Sequence, residues 1–257
     1  MDKSGKKRVL LKIGSNTLTR ETNHISRGKI EDIARQIAQL KDNYEFVIVS
    51  SGAIAAAKQF VNLEGNGKEI TVKQALASIG QLHLMRIYQE NFRELGLFIS
   101  QCLLSYSDFE RIESKENISN TINVLLANNY IPVINENDTV ATDEIKFGDN
   151  DKLAALTAVL LHVDLLIIAT NTNGFYTRES LEKGTPETIL SANNISDLNK
   201  EVSINKSSHG TGGMQSKIDA VEIAGKANIE TWVVNGLEDN FIINAINNRI
   251  PFTKIVM

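Results

Sequence analysis

Phe147-Gly148-Asp149-Asn150-Asp151-Lys152 stands at the mouth of a segment, Leu153 to Leu161, that is apolar on nearly every side. A helix without a polar face is buried. Its first turn then holds acids and an amide at the inner edge of a core, where an unpaired carboxylate is costly and needs a partner, a cation or a cleft. A helix start uses one Asp or Asn as a cap, so Asp149, Asn150 and Asp151 in succession point to a site. Lys12, closing the first apolar run, and Lys217, just after Thr211-Gly212-Gly213, offer the complementary charge. Entering one cleft, the two ammonium groups would flank a transferring phosphoryl group, a reaction that depends on such electrostatic stabilisation. Asp151 would sit between them, and a carboxylate so flanked stays ionised.

Positioning these residues requires a particular frame. Val9 to Ile13, Phe46 to Val49, Ile131 to Ile134 and Leu165 to Ala169 are short apolar runs, as strands buried on both faces are. Each ends in small or polar residues: Gly14 to Thr17, Ser50 to Ala53, Asn135 to Asp138, and Thr170 to Gly174. Helical spacing separates them, with Ile30, Ile33, Ala34, Ile37 and Ala38 after a capping Ser26, a longer helix over about 72–95, Ile118 to Leu126, and Met214, Ile218, Val221 and Ala224. Alternation of this kind gives an α/β three-layer sandwich with a mainly parallel central sheet flanked by helices. One domain is expected, its N-terminal half on the substrate side and its C-terminal half, from about 165 to 257, on the nucleotide side. A small hairpin is expected over 139–147, and 179–207 reads as an extended excursion without clear periodicity.

Ligands bind beyond the carboxyl ends of the strands in such sheets. Glycines there let backbone N–H groups approach an anion closely, and phosphate is the natural guest. None of these loops has the Walker pattern or the three-glycine dinucleotide spacing.

Composition narrows the classes. The chain has 257 residues, 27 Lys and Arg against 31 Asp and Glu, and no concentrated basic face, so nucleic acid is not an expected partner. Lys3, Lys6, Lys7 and Arg8 precede an apolar run too short for a signal peptide, and no stretch approaches a membrane helix, so a soluble cytoplasmic protein is expected. Cys102 is the one cysteine, which excludes an intrachain disulfide and a cysteine metal cluster, and it reads as core. His24, His83, His162 and His209 lack ligand spacing, and Ser50-Ser51-Gly52-Ala53 lacks the glycine that opens a nucleophile elbow.

Five ordered segments carry a resemblance: Lys12-Ile13-Gly14-Ser15, Ser51-Gly52-Ala53-Ile54-Ala55-Ala56, Pro132 to Asp138, Gly148 to Asp151, and Thr211 to Lys217. In order and spacing they resemble the glutamate 5-kinases of the amino acid kinase superfamily, in a short form without the C-terminal PUA domain that many members carry. The resemblance implies transfer of a phosphoryl group from ATP, with Mg²⁺, to the side-chain carboxylate of L-glutamate, the first step toward proline. It implies Lys12, Lys217, Asp151, Gly14 and Gly52 in catalysis, and Ser51, Asp138 and Asn150 on glutamate. ATP would contact Lys12, Thr170, Asn171, Thr211, Gly212, Gly213, Met214, Gln215, Ser216 and Lys217, with Asn171 standing where the family usually has an acid. It also implies a homo-oligomer, dimer or tetramer, and proline as a feedback inhibitor. The alternatives are a kinase for another small acid or nucleotide, or a non-catalytic sensor. A sensor has no need of Lys12, Asp151 and Lys217 placed around a transition state.

Overall fold

The computed structural model describes residues 5–65, 69–141, 150–202 and 213–256. Most of the hairpin expected over 139–147 lies outside the described residues, as do Gly148, Asp149, His209, Thr211 and Gly212. Among the described residues, eight strands form one sheet: β1 Lys7–Ile13, β2 Tyr44–Ser50, β3 Phe98–Leu104, β4 Tyr130–Glu136, β5 Leu165–Thr170, β6 Ser191–Ala192, β7 Glu230–Asn235 and β8 Thr253–Ile255. Their order across the sheet is β3-β4-β2-β1-β5-β7-β8-β6, parallel throughout except where β7 meets β8. The sandwich expected from alternating strands and helices is therefore the fold observed.

Strand alternation decides which way Lys12 points. Val9, Leu11 and Ile13 join the core beneath the helices Arg27–Leu40, Ile70–Glu94 and Phe241–Ile246. Leu10 faces the opposite layer, packed with Leu153, Ala154 and Ala158 of the helix Asp151–Leu160 and with Ile218, Val221 and Ala224 of the helix Met214–Lys226. Side chains two apart share a face. Lys12 is thus directed at the layer whose two helices carry Asp151 and Lys217 in their first turns.

Register brings the strand ends level. Lys12 pairs with Val49 of β2 and Ile168 of β5, so Ile13, Ser50 and Ala169 arrive at one edge. From β1 the sheet grows toward β2 on one side and β5 on the other, and this reversal opens a crevice at the carboxyl ends.

One close approach fixes the loop after β2. A Cβ on Gly80 of the Ile70–Glu94 helix would lie 1.8 Å from the Ala53 carbonyl oxygen and 2.7 Å from the Ala57 nitrogen. Only glycine lets that helix press against the short helix Ala53–Lys58 that follows Ser51-Gly52. Gly80→Ala must move backbone rather than a side chain, so a loss of about 1–3 kcal/mol or more is expected. Urea unfolding tests it, and an unchanged midpoint would show that the helices part freely.

Two expectations change. The 179–207 excursion contains, among its described residues, most of the helix Arg178–Glu182, then β6 and the helix Ile195–Val202. Thr177 and Asn194 start these helices by accepting from the Ser180 and Ser196 amides. Cys102 is half-buried at the margin of the core rather than inside it, because β3 is the sheet's outer strand.

Candidate active site

Three elements meet around one carboxylate. Asp151, in the first turn of its helix, is fully buried; Lys12 Nζ lies 2.5 Å from its Oδ1 and Lys217 Nζ 3.1 Å from its Oδ2. Ser216 Oγ donates to the same Oδ2 at 2.9 Å and is itself close to the Gly213 carbonyl, 2.8 Å away. Burial alone would push the Asp151 carboxyl up, but the charges of Lys12 and Lys217 outweigh it and hold the group well below the usual carboxylate range. A buried acid flanked by two cations is a fixed anionic post. It keeps two ammonium groups of like charge side by side at the edge of the crevice.

The flanking glycines differ in their reasons. A Cβ on Gly14 would only touch Lys12 Nζ, at an ordinary contact distance of 3.5 Å, so the Gly14 backbone runs directly beside that ammonium group. Gly52 has φ 107°, a left-handed conformation that side chains rarely adopt, and it turns the chain directly after Ser51. Ser51 is buried and its amide donates to the Ile13 carbonyl, which ties the β2 loop to the end of β1.

Asn150 stands at the capping position of the Asp151–Leu160 helix, yet its side chain makes no cap hydrogen bond. Its Nδ2 donates instead toward Asn135 Oδ1 at 2.8 Å, Ser51 Oγ at 3.2 Å and the Ser50 carbonyl at 3.3 Å. The Asn150 Oδ1 is buried and, among the described residues, has no hydrogen-bond partner. Ser50 Oγ is 3.0 Å from the hydroxyl of the fully buried Tyr88, which braces the strand end from the other face. Nothing in the spacing of the sequence marks Tyr88 for this place.

Asp138 follows β4 and is also buried, with Oδ1 lacking a partner among the described residues. Gln74 Nε2 holds its backbone carbonyl at 2.9 Å. Burial raises its carboxyl to about 6. It lines a hollow of about 190 Å³ together with Gln81, Gln101, Glu136 and Asn137.

On the other side of β1, Thr170 ends β5 at the crevice, and Asn171 beyond it is exposed with Nδ2 donating to Glu21 Oε1 at 2.9 Å. Gly213 precedes the Met214–Lys226 helix, Met214 packs partly against the core, and Gln215 Nε2 donates to Asp219 Oδ1 one turn on, at 2.9 Å. The crevice therefore gathers Lys12, Asp151, Ser216 and Lys217 in one cluster, and Ser51 and Asn150 in another joined to it through consecutive residues 150 and 151. Asn135 and Gln81 belong to the second cluster through direct hydrogen bonds, although only Asn135, in the polar run that begins at the end of β4, carries a signal in the sequence.

The fold and this lysine-carboxylate-lysine centre define a class: the chain belongs to the amino acid kinase family, whose match covers residues 7–235. Its similarity within that family is to glutamate 5-kinases. That of Alkaliphilus oremlandii is 37% identical over 249 residues, spanning 96% of this chain and 95% of the relative. That of Thermoanaerobacter sp. is 40% identical over 243 residues, covering 94% of this chain and 65% of the relative, and the glutamate 5-kinase of Vibrio campbellii is 37% identical with 66% of its length covered. The chain thus spans about two thirds of the length of these longer relatives. Among solved structures, carbamate kinase from Giardia lamblia bound to AMP-PNP superposes with a TM-score of 0.70 at 14% identity, over 98% of this chain and 99% of that one. UMP kinase from Ureaplasma parvum gives 0.66 at 13% identity, again over 98% and 99%. At such identities these two share the fold. The protein is a kinase, with ATP as co-substrate. No helix among the described residues is long and apolar enough to cross a membrane.

Proposed function

We propose that the protein transfers the γ-phosphoryl group of MgATP to the side-chain carboxylate of L-glutamate, giving ADP and L-glutamyl 5-phosphate, the acyl phosphate that opens proline synthesis. The glutamate 5-kinases above support the acceptor. The observation that carries the chemistry is Asp151, buried between Lys12 and Lys217. A glutamate side chain, with a reference pKa of about 4.3, is ionised at neutral pH and attacks phosphorus without a general base. A bond forms between a carboxylate oxygen and the γ-phosphorus while the bond to the β,γ-bridging oxygen breaks, and the electron pair leaves on ADP.

What the protein supplies is charge and alignment. Lys12 and Lys217 offset the negative charge on the migrating group, Asp151 holds them apart at a fixed spacing, and the amides around Gly14 and Gly52 face the phosphoryl oxygens. Ser51, Asp138 and Asn150 hold glutamate. Thr170, Asn171 and the segment from Thr211 through Gly212, Gly213, Met214, Gln215 and Ser216 to Lys217 hold ATP, whose Mg²⁺ is carried chiefly by phosphate oxygens and water. In this reading residues 1–257 form one amino acid kinase domain, with the nucleotide half beginning near residue 165. The enzyme works in the cytoplasm as a homo-oligomer and is inhibited by proline.

A coupled assay of ADP release with L-glutamate, L-aspartate, N-acetylglutamate and UMP tests the acceptor. Turnover is expected with L-glutamate; a clear preference for any of the others would overturn the assignment. The Asp138 carboxyl adds a pH signature. Raised by burial from 3.8 to about 6, it takes up a proton as pH falls through that value and loses its attraction for the substrate's ammonium group. The glutamate KM should therefore climb below about pH 6 while the ATP KM stays level, and Asp138→Asn should flatten the profile at a high KM. The same shift means that the folded protein binds this proton more tightly than the unfolded chain, so ligand-free stability declines as pH rises from about 4 to about 6.

A further inference from the structure

Side-chain amides can be built either way round, but here backbone groups settle the orientation. The Glu136 N–H can only donate, and it reaches Asn135 Oδ1 at 2.9 Å. The Ser50 carbonyl can only accept, and it faces Asn150 Nδ2. Asn135 therefore presents its oxygen to Asn150 and its nitrogen away, where Nδ2 donates to Gln81 Oε1 at 2.8 Å. Gln81 in turn points Nε2 at Gln101 Oε1, 3.4 Å away. The amides run in one direction, each oxygen answering the previous nitrogen, and they end at the buried, unpartnered Oδ1 of Asn150.

We propose that Gln81 is a positioning residue for the amino-acid site: through Asn135 it holds the Asn150 amide with its nitrogen spent inside the protein and its oxygen left unpartnered for a ligand. With both N–H bonds of Asn150 engaged, its free group is an acceptor, and Asp138, which lines a hollow together with Gln81, offers another. Two acceptors suit an ammonium group and leave an acylated nitrogen, with a single N–H and a bulky carbonyl, poorly matched. Gln81 so contributes to selecting an acid with a free amine. The close approach at Gly80 seats the adjacent residue at this depth, and Gln81 remains about 9% exposed. This inference rests on the proposed glutamate kinase reading and adds a residue to it.

The test compares Gln81→Met, similar in shape but without the amide, with Gln81→Glu, which keeps an oxygen to accept from Asn135 in either protonation state. Gln81→Met should raise the glutamate KM about tenfold, leave the ATP KM within about twofold, and change kcat little, since a buried donor on Asn135 loses its partner. Gln81→Glu should stay closer to the wild type. In an Asn135→Ala background, Gln81→Met should no longer alter the glutamate KM, because the relay is already cut. An unchanged glutamate KM in Gln81→Met, equal rises for both substrates, or an effect that persists without Asn135 would each overturn the proposal. If the wild type fails with glutamate but turns over another acid, the acceptor assignment falls. The same variants measured on that acid still decide the relay.

Discussion

Lys217→Ala is expected to lower kcat by about 100-fold or more while the protein remains folded. The figure follows from the loss of one preorganised donor aimed at developing charge, which typically costs ~10²–10³ in rate. Folding should survive because Asp151 keeps Lys12 at 2.5 Å and the Ser216 hydroxyl at 2.9 Å, so the buried carboxylate is not left alone. Steady-state kinetics and circular dichroism on the same preparation separate the two effects. Wild-type turnover in Lys217→Ala would remove the residue from the chemistry, and an unfolded variant would assign it to the core instead.

Asp151→Asn should behave in the opposite sense, because it deprives two buried ammonium groups of their shared counter-charge. Lys12 is 3% exposed, so it cannot simply swing into water. Removing one member of a buried ion pair costs ~3–5 kcal/mol, which in a chain of this size corresponds to a fall in Tm of about 10 °C. Turnover should fall as well, since the lysines repel each other out of register. Differential scanning calorimetry without ligand gives the answer. A Tm within about 2 °C of the wild type would mean that the lysines find solvent or another anion, and that Asp151 does not brace them.

Much of this centre is legible in the order of residues. The strands announce themselves as apolar runs ending in small polar groups, and the period of two places Lys12 on the Leu10 face of β1. The acidic mouth of an apolar helix marks Asp151. What escapes is whatever depends on two segments touching. Gly80 looks like an ordinary helical glycine until the Ala53 carbonyl is found against it. Gln81 and Tyr88 lie in a helix whose apolar positions dominate its pattern, and their polar tips acquire meaning only from Asn135 and Ser50 across the sheet edge. Short helices are missed for another reason: Ser15–Thr19, Ala53–Lys58 and Phe241–Ile246 are too brief to display a period. Asn150 is half read, since its type suits a cap while its amide reaches Asn135 and Ser51 instead.

The acid between the lysines is not carried on a surface loop; it begins the helix Asp151–Leu160, whose Leu153, Ala154, Ala155 and Ala158 are wholly buried. Displacing the carboxylate means dislodging that helix from the sheet, which is most of what denaturing the protein requires. Heat inactivation and loss of secondary structure should consequently follow one curve, with no temperature window in which an intact scaffold harbours a dead catalyst.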